Sequence, residues 1–104
     1  MEGYQVIYTQ FVIDFMLSEI TSKRVYDKID SYRLILARFP EIGRVYDPCH
    51  EAARPLFACR FIAVPDTPFA LYYTVDNVTK IVTVFYIEHL RSNPKSRFSP
   101  TAEN

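Results

Sequence analysis

One helical stripe constrains the fold of this 104-residue chain more than any other feature. In the segment KRVYDKIDSYRLILARF, residues 23–39, apolar side chains recur at alternating steps of four and three, and charged residues fall mostly between them. The stripe comprises Val25, Ile29, Tyr32, Leu36 and Phe39. This spacing is typical of one face of an α-helix. Because the ring of Pro40 disfavours a helical conformation at the residue before it, the helix is predicted to end there.

A strand and another helix are predicted to precede this stripe. Residues 4–8, YQVIY, are rich in β-branched and aromatic side chains, which favour a strand. Thr9 and Ser22 are residue types preferred at helix N-caps, and the QFVIDFMLSEITS segment between them has apolar residues at helical spacing. Two helices this close in sequence predict a helical hairpin.

The second half of the chain shows sequence patterns typical of β-strands. Residues 41–53 show no steady period and are predicted to form a loop. The segments PLFACRFIAV, FALYYTV and VTKIVTVFYIEH then predict three successive antiparallel strands. Asp76 and Asn77 tolerate the positive φ of a tight turn, so they are predicted to form a two-residue hairpin loop.

The last of these strands is apolar on both faces. Strict alternation places Ile81, Phe85 and Ile87 on one side. Val82, Val84 and Tyr86 then lie on the other. Such a strand is predicted to have a neighbour on each side rather than to lie at the edge of the sheet.

The order of elements predicts a two-layer α+β domain with the sequence β-α-α-β-β-β. Its helical hairpin packs on one face of a mainly antiparallel sheet, which leaves the other face open for function. Residues 1–94 are predicted to form this single domain. Residues 95–104 lie in a polar segment without apolar periodicity and are predicted to be a flexible tail.

Charge and cysteine content limit the classes of function. Twelve basic and twelve acidic residues give a net charge of zero, which disfavours strong non-specific binding to nucleic acid. No signal-peptide pattern and no apolar run of membrane-spanning length occurs, so we expect a cytoplasmic protein with reduced thiols. The spacing of Cys49, His50, Cys59 and His89 matches no zinc-binding pattern, and no metal site is predicted.

Four segments, in this order, resemble the RelE/ParE toxins of bacterial type II toxin-antitoxin pairs, which include plasmid-stabilisation proteins. The segments are YQVIYT, LARFPEIGR, FALYYTVDNVTKIVTVFYI and EHLR, and the resemblance covers residues 4 to about 94. It implies a small α+β toxin that arrests growth, needs no cofactor and is neutralised by an antitoxin protein. We expect the antitoxin to dock an amphipathic helix into an apolar groove or to add a strand at residues 4–8.

The resemblance allows two targets. RelE-like members cut messenger RNA in the ribosomal A site with basic residues on the sheet face and, commonly, a C-terminal tyrosine or histidine. ParE-like members instead poison DNA gyrase. Where the family commonly has an arginine in the third strand, this sequence has Ala70, and no tyrosine follows the last strand. Both departures, with the neutral net charge, favour the gyrase-directed branch.

A ribonuclease would use the residues that match the family's basic positions. His89 matches a frequent histidine that acts as general acid or base, and Arg91 matches a terminal arginine that holds a phosphate. Arg60 interrupts an apolar strand, either as a cation on the open face or as a charge that protects a sheet edge. Tyr72 is a weaker candidate for the missing tyrosine. Three hypotheses stay open: a gyrase-directed toxin, a metal-independent ribosome-dependent endoribonuclease, and a non-toxic interaction module with the same fold.

Overall fold

The computed structural model describes residues 3–46 and 58–90. Seven elements occur in these ranges: β1 (Gln5–Tyr8), α1 (Gln10–Glu19), α2 (Lys23–Arg38), β2 (Arg44–Val45), β3 (Arg60–Ala63), β4 (Phe69–Asp76) and β5 (Ile81–His89). Cys49, His50, Arg91 and the predicted tail at 95–104 lie outside the described residues. Neither described helix is long and apolar enough to span a membrane.

The strands form one mixed sheet in the order β1-β5-β4-β3-β2. Strands β3, β4 and β5 pair antiparallel in succession, and β1 pairs parallel with β5. The two helices pack on one face of this sheet. The two-layer α+β architecture is therefore confirmed, as is the interior position of the last strand, which lies between β1 and β4.

Helix α2 begins where the sequence predicts and ends one residue earlier. The Ser22 hydroxyl accepts a hydrogen bond of 3.3 Å from the Val25 N–H, which satisfies one of the free donors of the first turn. Phe39 leaves the helical conformation at φ −130° and ψ 68°. Its inclusion in the buried stripe is therefore wrong, because its side chain is 59% exposed while the other four members are buried.

The main core fills the space between the helices and the sheet. Val12 and Met16 of α1 and Ile29 and Leu36 of α2 are almost fully buried against the helix-facing side chains of the sheet. Burying each such side chain contributes about 1.5–3 kcal/mol. The Tyr8 hydroxyl adds a buried polar link, because it donates a 2.8 Å hydrogen bond to the Ile29 carbonyl oxygen.

Two connections differ from the sequence predictions. Residues 41–53 are not only loop, because Arg44 and Val45 form strand β2 and pair with Phe61 and Arg60. The two-residue turn is also wrong: β4 continues through Asp76, and residues 77–80 connect it to β5. The Asp76 carboxylate accepts hydrogen bonds from the N–H groups of residues 78 and 79, which stabilises this longer turn.

A β-bulge breaks the predicted alternation in β5. Tyr72 lies opposite Tyr86 and Tyr73 lies opposite Val84, so Phe85 is an extra residue. Side chains beyond the bulge therefore exchange faces. Ile87 is buried in the core under the helices, and its predicted place beside Phe85 is wrong.

Candidate functional site

Aromatic side chains dominate the face of the sheet that the helices leave open. We call this group the open-face cluster: buried Cys59, Ala70 and Tyr72, with partly buried Tyr46, Phe61, Phe85 and Tyr86 around them. The Tyr72 ring lies at its centre, with ring centroids 5.0 Å from Tyr46, 5.7 Å from Phe61 and 5.9 Å from Tyr86. Only 2% of Tyr72 is exposed.

A carboxyl group is buried beside this cluster. Glu88 is 4% exposed, and it is the one charged residue that is buried among those the structure describes. The Tyr72 hydroxyl donates a 2.7 Å hydrogen bond to Glu88 Oε2. Ala70, which occupies the family's arginine position, lies directly opposite Glu88 in the sheet. An acid therefore lies directly across the sheet from the position where the resemblance leads us to expect a base.

Arg60 does not lie on the open face. It pairs with Tyr73, a core residue, and so lies on the side of the sheet that faces the helices. Its Nη1 donates hydrogen bonds to the carbonyl oxygens of Gly43, at 2.8 Å, and Glu41, at 3.5 Å. The Tyr73 hydroxyl accepts a 2.8 Å hydrogen bond from the Gly43 N–H. Arg60 and Tyr73 together fix the segment that leads from α2 into β2.

His89 also lies on the helix-facing side. It is partly buried opposite Phe69, with the two ring centroids 5.3 Å apart in an edge-on contact. Phe69 and Tyr73 are four residues apart on β4, and Arg60 and His89 flank them on different neighbouring strands. Strand geometry therefore places the backbone of Arg60 roughly 16 Å from the backbone of His89.

The predicted site residues are thus not brought to one point. Tyr72 faces the open side, whereas Arg60 and His89 face the helices at different positions along β4. Arg91 lies outside the described residues. Catalytic roles for these four residues stay predictions.

Arg44 is a candidate that sequence reasoning missed. It is exposed and lies opposite Phe61, so it belongs to the open face. Of the strand residues within 3–46 and 58–90, it is the only lysine or arginine on that face. The short RVY run was a weak signal for a strand, while Glu88 could have been noticed as an acid within an apolar strand.

Cys59 is a buried, free thiol just before β3. Burial raises the pKa of this thiol to about 11. Across the part of the chain that the structure describes, no three histidine, cysteine, aspartate or glutamate side chains come together as a metal site.

We expect the Cys59 thiol to resist alkylation in the native protein. The thiolate is the reactive form, and a raised pKa makes it scarce at pH 7.5. Iodoacetamide should modify Cys59 at least about tenfold more slowly in buffer than in urea, as measured by peptide mass spectrometry. Equal rates in the two solvents would contradict the burial of this side chain.

No family model matches the chain, and no curated protein matches its sequence. Solved structures do match. A chain of the toxin-antitoxin complex RelBE2 from Mycobacterium tuberculosis is 16% identical, aligns over 86% of this chain and 93% of its own, and has a TM-score of 0.64. An E. coli RelE mutant in the free state has a TM-score of 0.60 at 14% identity, covering 86% of this chain and 85% of that one. Isolated E. coli RelE has a TM-score of 0.57 at 14% identity, with 88% of each chain covered.

This chain has the RelE fold. The resemblance seen in four short segments is thereby confirmed at the level of architecture. Within this RelE fold, the described part of the open sheet face carries an aromatic cluster, the buried Glu88 and one exposed cation, Arg44.

Proposed function

We propose that this chain is the toxin of a type II toxin-antitoxin pair, that it acts in the bacterial cytoplasm and that translation is its target. The observation that carries the proposal is the alignment of 86–88% of the chain with RelE structures, one of them a complex with an antitoxin. Translation is favoured over DNA gyrase because the matched structures are RelE toxins.

Two adjoining surfaces support an antitoxin partner. Strand β1 lies at the edge of the sheet, where an added strand could pair with it. Beside it is an open groove of about 640 Å³, lined by Tyr4, Phe39, Pro40, Glu41 and Ile42. We call this the Phe39 groove. Phe39 and Ile42 are at least half exposed, and apolar patches of this kind mark sites of protein association.

The Phe39→Asp variant tests this docking surface. A carboxylate in the Phe39 groove would have to lose its water when an apolar helix docks, so we expect the dissociation constant to rise at least about tenfold. The measurement is calorimetric titration with the antitoxin, which we expect an adjacent short reading frame to encode. Leu34→Asp is the matched control, since Leu34 is another exposed apolar residue, on α2, and lies outside the groove. Equal affinities of the two variants would place the antitoxin elsewhere.

Expression of the chain alone in E. coli tests toxicity and target together. We expect growth to stop and new 5′ ends to appear within translated messages. Growth arrest with gyrase-linked DNA breaks and intact messages would identify the gyrase-directed alternative. Undisturbed growth, with the protein present and folded, would identify a non-toxic interaction module.

One observation favours the gyrase-directed alternative. A metal-independent ribonuclease needs fixed cations around the scissile phosphate. Arg60 is instead held by backbone carbonyls on the helix-facing side, and Glu88 is buried beside Ala70. Of the described strand residues, this leaves a ribonuclease Arg44 on the open face and His89 on the helix-facing side, and the predicted Arg91 lies outside the described residues.

Variants at these positions separate the two mechanisms. If translation is the target, Arg44→Ala, His89→Ala and Arg91→Ala should each slow message cleavage, and Arg44→Ala, which changes an exposed side chain, should do so without lowering the melting temperature. Arg60→Ala should lower both the rate of message cleavage and the melting temperature, because the Arg60 guanidinium holds the Gly43 segment through a hydrogen bond to the Gly43 carbonyl oxygen. Cleavage that survives all three of the first variants would exclude this site.

A further inference from the structure

A cleft of about 270 Å³ lies between α1 and the adjoining ends of β4 and β5, away from the Phe39 groove. Its walls are mainly aromatic. Phe11 and Phe15 come from α1, Phe69 from β4, and Tyr86 and His89 from β5. The lining is completed by Glu19, Ile87 and the buried Glu88. We call it the α1 cleft.

The rings of the α1 cleft form a continuous series. Tyr86 and Phe11 are stacked with centroids 5.3 Å apart, and Phe11 is 6.3 Å from Phe15. Phe15 meets Phe69 edge-on at 5.8 Å, and Phe69 meets His89 edge-on at 5.3 Å. Four of the five rings are only partly buried, so they retain surface toward the cleft. Aromatic faces carry negative electrostatic potential and attract cations.

Two further features make this end of α1 negative. Glu19, an exposed residue that lines the cleft, is the last residue of the helix. A helix C-terminus already carries partial negative charge, which basic residues normally offset, and the last turn of α1 has none. The ion pairs found among the described residues join Lys23 to Asp27 and Arg33 to Asp30, so neither involves Glu19. No described lysine or arginine lines the cleft.

From these features we infer that the α1 cleft receives an arginine side chain of a protein partner. A guanidinium group stacks on aromatic faces and pairs with a carboxylate through two parallel hydrogen bonds, which suits the rings and Glu19 together. The inference goes beyond the proposed toxin function and does not require it.

The test is a titration of the full chain, labelled for NMR at its aromatic rings, with N-acetyl-arginine amide. We expect shifts of the Phe11 and Phe15 resonances, and no matching shifts with the neutral isostere N-acetyl-citrulline amide. Glu19→Gln should weaken binding of the arginine probe about five- to tenfold. Asp14→Asn is the matched control, since Asp14 is an exposed acid on α1 outside the cleft, and its variant should bind like the wild type.

Several results would overturn the inference. These are equal binding of the citrulline probe, unchanged binding by Glu19→Gln, shifts that map to another surface, and no shifts up to the solubility limit of the arginine probe. Unchanged aromatic spectra of the free variants serve as the control for folding. If the chain binds the arginine probe but its expression leaves growth undisturbed, the α1 cleft inference stands and the toxin proposal fails. The failure of one proposal is therefore distinguishable from the failure of the other.

Discussion

Replacing Tyr72 with phenylalanine is expected to lower the free energy of unfolding by about 1.5–3 kcal/mol. The substitution removes the hydroxyl that donates to Glu88 Oε2 at 2.7 Å and leaves a buried carboxyl group without that donor. Each kcal/mol lowers the melting temperature of a domain of this size by about 4–8 °C. Urea denaturation would measure the change. Tyr26→Phe is the control, because Tyr26 is only partly buried and its hydroxyl makes none of the described hydrogen bonds.

A double-mutant cycle that combines Tyr72→Phe with Glu88→Leu shows whether the lost stability comes from the Tyr72–Glu88 hydrogen bond. Glu88→Leu alone leaves the Tyr72 hydroxyl without its acceptor, whereas the double variant removes both polar groups and the cost of burying them. We therefore expect the double variant to be more stable than the sum of the single effects implies, by about 1 kcal/mol or more. Strict additivity would mean that the hydrogen bond contributes nothing to folding.

Gly43→Ala is expected to destabilise the protein by about 1–3 kcal/mol, the usual cost of adding an atom to a tightly packed site. A Cβ atom at Gly43 would lie 2.6 Å from the Tyr73 hydroxyl oxygen and 2.7 Å from the Phe61 carbonyl oxygen. The second of these is a backbone atom of β3 and cannot turn aside. The same segment also receives the hydrogen bond from Arg60, so its displacement would disturb that contact.

Gly3→Ala provides the comparison for Gly43→Ala. Its added Cβ would lie 3.1 Å from the Ala37 carbonyl oxygen, a tight contact that a shift of a few tenths of an ångström relieves. We expect the smaller loss of stability at this position in the same urea denaturation experiment. If Gly43→Ala is no less stable than Gly3→Ala, the segment after α2 can move away from β3 at little cost.

The elements with local signals were predictable from the sequence. Helix α2 has a complete apolar stripe, an N-cap serine and a proline just after it, all of which act within a few residues of the chain. Strand β2 and the bulge at Phe85 depend instead on pairing with distant residues, and two residues are too few to show a period. Local patterns cannot report either feature.

The candidate site was less predictable for the same reason. The environment of Arg60 is set by the Gly43 carbonyl oxygen, 17 positions away in sequence, and neither of the two roles considered for Arg60 included a backbone acceptor. Beyond the bulge, the direction of each β5 side chain follows from the register with β4, so alternation alone gave the wrong face for Ile87. Only the resemblance to RelE/ParE toxins directed attention to Tyr72 and His89.

The parallel pairing of β1 with β5 has a consequence for biosynthesis. Gln5 lies opposite Ile81, so the first strand has to wait for a partner that is translated 76 positions later. At about 5–20 residues per second, that delay is roughly 4 to 15 s. The nascent chain consequently cannot complete its sheet until β5 has been translated. Any activity that requires the finished sheet begins only after the residues of β5 have left the ribosomal exit tunnel.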